Sequence, residues 1–191
     1  MLNFQLLPFP ELRTPRLLLR RIVAADAPAL FALRTDAQVL TYLDRDPETA
    51  LSEIEAFIGR LDEALTTNSG INWAVTRVGE EAQLVGTCGL WRLIPEHHRA
   101  EIGYMLLPSA WGAGLMAEAV EAVCRYGFEQ LHLHSIEANV NPHNAASIRL
   151  LERLGFVREA YFRENYYCRG QFLDSAIYSL LASGLPASGP R

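Results

Sequence analysis

Three apolar stretches follow one another closely near the middle of the chain: Ile71 to Val78 (INWAVTRV), Gln83 to Ile94 (QLVGTCGLWRLI) and Ala100 to Pro108 (AEIGYMLLP). Gly79-Glu80-Glu81 turns the first into the second, and the segment from Pro95 to Arg99 separates the second from the third. Each reads as a strand. Connections this short close hairpins; a parallel crossover takes about a dozen residues or more. The middle of the chain is therefore expected to be an antiparallel meander, and every other element has to be built around it.

Around the meander the periodicity changes. Arg16 to Ile22 (RLLLRRI) reads as an earlier strand led in by Thr14-Pro15. Asp26, ahead of Pro28, Leu30, Phe31 and Leu33, predicts a short capped helix. Asp46-Pro47 is expected to open a second helix, whose Leu51, Ile54, Phe57, Ile58, Leu61 and Leu65 recur at helical spacing before Asn68-Ser69-Gly70. After the meander, Leu115, Met116, Ala119, Val120, Val123 and Phe128 make one helical stripe. His134 to Val140 alternates as a half-buried strand. Asn141-Pro142 predicts the start of a helix with Ile148, Leu151 and Leu154 on its core face and Gly155 just past its end. Phe156 to Phe162 and Gln171 to Leu181 close the fold as a strand pair. The predicted order is β-α-α-β-β-β-α-β-α-β-β, one mixed α/β domain over residues 1–182. The small, Pro/Gly-rich tail 183–191 is expected to be disordered.

Composition narrows the function classes. The net charge is −5 and no run of Lys or Arg exists, which argues against a nucleic-acid partner. Cys88, Cys124 and Cys168 form no CxxC pair, so neither a disulfide framework nor a zinc ribbon is expected, and free thiols suit a cytoplasmic location. His97-His98 would diverge on a strand, and His132 and His134 lack further ligands, so no metal is expected. No stretch reaches the roughly 18 apolar residues of a membrane helix. The opening MLNFQLLPFP, broken by Pro8 and Pro10, does not read as a signal peptide.

Gly112-Ala113-Gly114-Leu115-Met116-Ala117, just ahead of the helical stripe, spells G-x-G-x-x-A. That spelling belongs to the dinucleotide-binding turn. The context does not. Pro108 to Trp111 intervene after the strand, the preceding strands form a meander, and too little chain remains for a doubly wound sheet. What survives is the physics: backbone N–H groups at a helix start face an anion.

Taken together, "AEIGYMLLP", "WGAGLMAEA" and "NAASIRLLERLGF" (Asn144 to Phe156), in that order, resemble the GNAT acetyltransferase superfamily, in particular its RimJ/RimL-like branch of ribosomal-protein N-terminal acetyltransferases. The resemblance covers about Arg13 to Leu181. It implies a mixed sheet splayed between its fourth and fifth strands and flanked by helices, with acetyl-CoA as cosubstrate. By resemblance, Gly112, Ala113, Gly114, Leu115, Met116 and Ala117 hold the pyrophosphate, Tyr104, Met105 and Leu106 pair with the pantetheine arm, and Asn144 contacts the cofactor. The family pattern Q/R-x-x-G-x-G/A is met by Trp111 at its first place and Met116 at its last, two departures that each keep a backbone N–H.

The reaction implied is attack of a primary amine on the thioester, and the amine must be neutral. Glu101 is the candidate base, with Glu137 a weaker second; Asn139 stands where some branches carry a base and cannot titrate. Many family members protonate the thiolate with a Tyr where this chain has Leu151, and the RimL-like branch offers a Ser matched by Ser147. Tyr42, Trp91 and Tyr167 are candidate pocket aromatics, with packing as their plainer role. The expected acceptor is a protein or peptide N-terminus. A small amine such as a polyamine, antibiotic or amino-acid conjugate is the alternative, as is a catalytically silent acyl-CoA-binding module. A homodimer is implied at family level.

Overall fold

The computed structural model describes residues 2, 4–43 and 45–185. Its strands are β1 (Leu12–Arg13), β2 (Leu17–Arg21), β3 (Ile71–Arg77), β4 (Glu80–Ile94), β5 (Arg99–Leu106), β6 (Ser135–Val140), β7 (Val157–Cys168) and β8 (Gln171–Leu181). The helices are α1 (Ala27–Thr35), α2 (Ala37–Leu40), α3 (Leu51–Thr66), α4 (Leu115–Glu129) and α5 (Ala145–Arg153). The strands form one sheet in the order β1-β2-β3-β4-β5-β6-β8-β7. The meander is antiparallel as its short connections require, and β5 with β6 is the parallel pair.

Alternation along the strands sends side chains to two cores. Trp73 and Val75 enter a large cluster with Ala119, Val120 and Val123 of α4, while Ala74 between them joins Leu30 and Leu33 of α1 and Ile54 and Ile58 of α3. The sheet is thus covered by α4 on one face and by α1 and α3 on the other. Trp73 is fully buried, and its indole N–H is satisfied by the Pro10 carbonyl at 2.7 Å. Gly127 lets α4 lie close: a Cβ there would stand 3.0–3.3 Å from Ile136, Leu133 and Leu90.

Three helix starts differ from the sequence expectation. Asp26 precedes α1 without capping it; its carboxylate accepts both Arg20 Nη atoms at 2.7 and 2.8 Å and the Val23 N–H at 2.8 Å. A bidentate guanidinium outcompetes a neutral amide. The second long helix begins at Leu51, not Pro47, because Glu48 is drawn to Arg34 and Arg45. The last helix begins at Ala145, not Pro142. Asn141 Oδ1 is engaged by the His143 N–H at 2.9 Å in a local turn, which leaves Asn144 as the cap. At the C-terminal end the chain continues from β8 into a helical turn at Ala182–Gly184. Of the tail 183–191 expected to be disordered, residues 186–191 lie outside the described residues. Among the described residues no helix is long and apolar enough to cross a membrane.

Candidate active site

β5 pairs with β6 only through Arg99↔Ser135, Ala100↔Ile136 and Glu101↔Glu137. Beyond Glu101 the strands diverge, so the splay lies where the family resemblance implied it; the two-residue β1 shifts the numbering by one. The Leu107 N–H donates to Val85 of β4 at 2.8 Å. Because peptide groups alternate along a strand, those of Tyr104 and Leu106 point the other way, into the gap. The Leu106 carbonyl there accepts the Trp111 indole N–H at 2.7 Å, which ties the next loop to the strand end. The Tyr104 amide and carbonyl and the Leu106 N–H form an open edge, suited to an extended amide-bearing chain.

At the end of β5 the chain makes one turn at Pro108–Ala110, and then Gly112 and Gly114 adopt φ of 76° and 72°. Nothing lies within 4 Å of a Cβ placed on Gly112, so the left-handed backbone, not crowding, calls for glycine. Gly114 precedes α4 with no side-chain cap, and the Glu118 N–H bonds the Gly114 carbonyl at 3.2 Å. The N–H groups of Leu115, Met116 and Ala117 therefore stand outside the helical ladder. Met116 turns inward and is buried, so its bulk does not reach the turn's outer face. An anion site at a helix start and an open amide edge are the two features coenzyme A requires, and the residues present fit it.

A cavity of about 550 Å³ runs through the splay. On one side stand Tyr104, Asn144, Ser147 and Leu151; on the other, Asn72, Trp91, Glu101 and Gly103. Asn144 Oδ1 accepts the Ser147 N–H at 3.0 Å, and this cap carries Ser147 Oγ to 2.7 Å from the Tyr104 hydroxyl. Burial pushes the Tyr104 phenol well above its ordinary range, against a smaller lowering by Ser147, so it stays protonated.

Glu101 lies beside its cross-strand neighbour Trp91 and accepts Arg92 Nη1 at 2.9 Å. The Glu101 side chain is 13% exposed and that of Arg92 is 76% exposed, so this cation is solvated and easily exchanged. Glu137 is bonded to Arg99 and does not line the cavity; Asn139 does. Tyr42 and Trp91 also line it, whereas Tyr167 packs on Phe172 outside it. No group of three or more potential metal ligands occurs among the described residues. Sequence reading missed the Tyr104 side chain and the Arg92 partner. The first had no local signal, because Tyr104 and Ser147 are 43 residues apart.

A family model described as an acetyltransferase (GNAT) domain matches residues 16–157. The chain belongs to the GNAT acetyltransferase family. It is 37% identical over 177 residues to the uncharacterized N-acetyltransferase YoaA of Bacillus subtilis (strain 168), covering 91% of this chain and 97% of that protein. It is 34% identical over 102 residues, 53% of each chain, to the [ribosomal protein uS5]-alanine N-acetyltransferase of Escherichia coli (strain K12). Its fold is similar to that of a GNAT-family acetyltransferase from Bacillus anthracis, with a TM-score of 0.80 and 28% identity over 91% of this chain and 99% of that one. This GNAT enzyme is an N-acetyltransferase that draws its acyl group from acetyl-CoA.

Proposed function

We propose that this GNAT enzyme acetylates the N-terminal α-amine of a protein or peptide. The observation that carries the reading is the cavity, which joins the Tyr104–Ser147 pair to Glu101 in one space. In this reading the Tyr104 N–H and carbonyl and the Leu106 N–H pair with the pantetheine arm; Met105, expected to join them, has its backbone groups turned to Thr87 of β4 and takes no part. The N–H groups from Gly112 to Ala117 hold the diphosphate, and the Asn144 amide nitrogen adds a contact. The Leu106 N–H polarises the thioester carbonyl. Glu101 takes the proton of the attacking amine, directly or through one water, as the C–N bond forms and the C–S bond breaks. Ser147, its hydroxyl oriented by that of Tyr104, gives a proton to the leaving sulfur and recovers one from solvent as the products leave.

Two features favour an α-amine. At pH 7 roughly one-tenth of an α-amine is neutral, against well below one-thousandth of a lysine. The base has correspondingly less to do. Glu101 is also the one carboxylate among the described cavity-lining residues, set against Arg34 and Arg45, which share Glu48. That balance suits a single ammonium better than a polyamine. The buried free thiols of Cys88 and Cys124 fit the cytoplasm, where we place the enzyme.

The test is turnover of acetyl-CoA with three acceptors: a peptide with a free N-terminus, the same peptide blocked but carrying a lysine, and a polyamine. The highest kcat/KM should belong to the free N-terminus. Faster turnover of the polyamine would move the assignment to small amines. Acetyl-CoA binding without turnover of any acceptor in a wider amine screen would leave an acyl-CoA-binding module.

A further inference from the structure

Arg16 stands just ahead of β2, far in sequence from the glycine turn, yet its guanidinium reaches it. Nη1 donates to the Ala113 carbonyl at 2.8 Å. Nε donates to Glu118 Oε2 at 2.6 Å, and Nη2 lies 2.6 Å from the same oxygen. Glu118 Oε1 in turn accepts the Arg16 backbone N–H at 3.0 Å and the Thr14 hydroxyl. Burial pulls the Glu118 carboxyl upward, but the bonds from Thr14 and Arg16 outweigh it and hold it below its usual range.

A trans peptide points its C=O and the next N–H in opposite directions. A guanidinium that fixes the Ala113 carbonyl on one side therefore aims the Gly114 N–H to the other side, the outer face of the turn. Glu118 in the first turn of α4 would otherwise oppose an anion there; pairing with Arg16 offsets its charge.

We propose that Arg16 is a positioning residue for diphosphate binding: by clamping the Ala113 carbonyl and pairing Glu118, it presets the Gly112–Gly114 turn for the cosubstrate. This rests on the turn being the acetyl-CoA diphosphate site. The bound anion meets amides already aimed, so the clamp acts on affinity and not on the chemical step.

The experiment measures acetyl-CoA binding by calorimetry, and KM and kcat, for the wild type, Arg16→Met and Arg16→Lys. Loss of charge-assisted hydrogen bonds to the turn should raise Kd and KM ~10- to 100-fold in Arg16→Met, with kcat at saturation within about twofold. Arg16→Lys keeps the charge but lacks the fork, so it should fall between the two. It also carries the test if Arg16→Met does not fold. Acetyl-3′-dephospho-CoA should show the same fold-loss as acetyl-CoA. A loss that vanishes with that analogue would mean that Arg16 contacts the 3′-phosphate instead, which overturns the clamp. Unchanged Kd in a folded variant also overturns it. If the wild type itself does not bind acetyl-CoA, it is the reading of the turn that fails.

Discussion

The Tyr104 hydroxyl lies 2.7 Å from Ser147 Oγ, one side chain supplied by β5 and the other by the first turn of α5. The pair spans the place where the sheet splays, and the phenol is held protonated by burial. Ser147→Ala is predicted to lower kcat ~10- to 100-fold while leaving acetyl-CoA affinity nearly intact, as loss of a proton donor does. Tyr104→Phe should cost less alone and add little on top of Ser147→Ala, because the two act in series. Steady-state kinetics of the single and double variants check this. An unchanged kcat in Ser147→Ala, with chemistry rate-limiting, would return the serine to a structural role.

The glycine turn makes a separate prediction. Acetyl-CoA should raise the thermal midpoint of the wild type, since it binds the folded state alone. Gly114→Val should remove most of that rise, because a β-branched residue is strained at a φ of 72°. NADH should give little shift, and a strong response to NADH with none to coenzyme A would contradict the site.

Gly89 and Gly59 should behave oppositely in urea unfolding. A Cβ on Gly89 would stand 2.6 Å from the Ile71 carbonyl oxygen and 2.8 Å from Asn72 Cγ. Gly89→Ala should therefore cost ~1–3 kcal/mol, the usual penalty of overpacking. Gly59, exposed in α3, has nothing within 4 Å. Gly59→Ala should stabilise by ~0.5–1 kcal/mol.

Acid sensitivity follows from Glu48 and Glu118. For each, burial raises the carboxyl pKa, but hydrogen bonds from Arg45 and Arg34, or from Thr14 and Arg16, prevail and hold it below 4.5. A folded-state pKa below the unfolded value gives stability that is fully present above the unfolded value. That stability is lost as pH falls through the folded one. Glu48→Gln and Glu118→Gln should each lower the midpoint at pH 7 and flatten its decline below about pH 4.5. Parallel declines in wild type and variants would contradict this.

The meander and α4 were legible because local rules decide them: hairpin connections force antiparallel pairing, and the stripe from Leu115 through Val123 has one period. The turn at Gly112 and Gly114 was legible for the same reason, since a positive φ selects glycine. Helix starts were not, because they depend on where a side chain's partner sits. Asn141 and Asn144 are equally good caps on paper, and the His143 N–H decides between them by engaging Asn141. Glu48 reads as a first-turn acid until Arg34, 14 residues earlier, draws it away. The clamp of Arg16 on Ala113 spans 97 residues and leaves no trace in local pattern.

In the proposed mechanism the acceptor amine gives up its proton at Glu101 and attacks acetyl-CoA inside the splay. The measurement is kcat and KM of Glu101→Gln with a peptide acceptor, across pH and at two salt concentrations. Glutamine keeps the shape and loses the titrating charge. A base at Glu101 predicts a kcat ~10²- to 10⁴-fold lower at neutral pH, a defect that shrinks as pH rises, and undiminished thermal protection by acetyl-CoA. A carboxylate that merely attracts the ammonium would instead raise KM, hold kcat and weaken its effect with salt. Neither constant moving would place Glu101 outside the chemistry and contradict the mechanism.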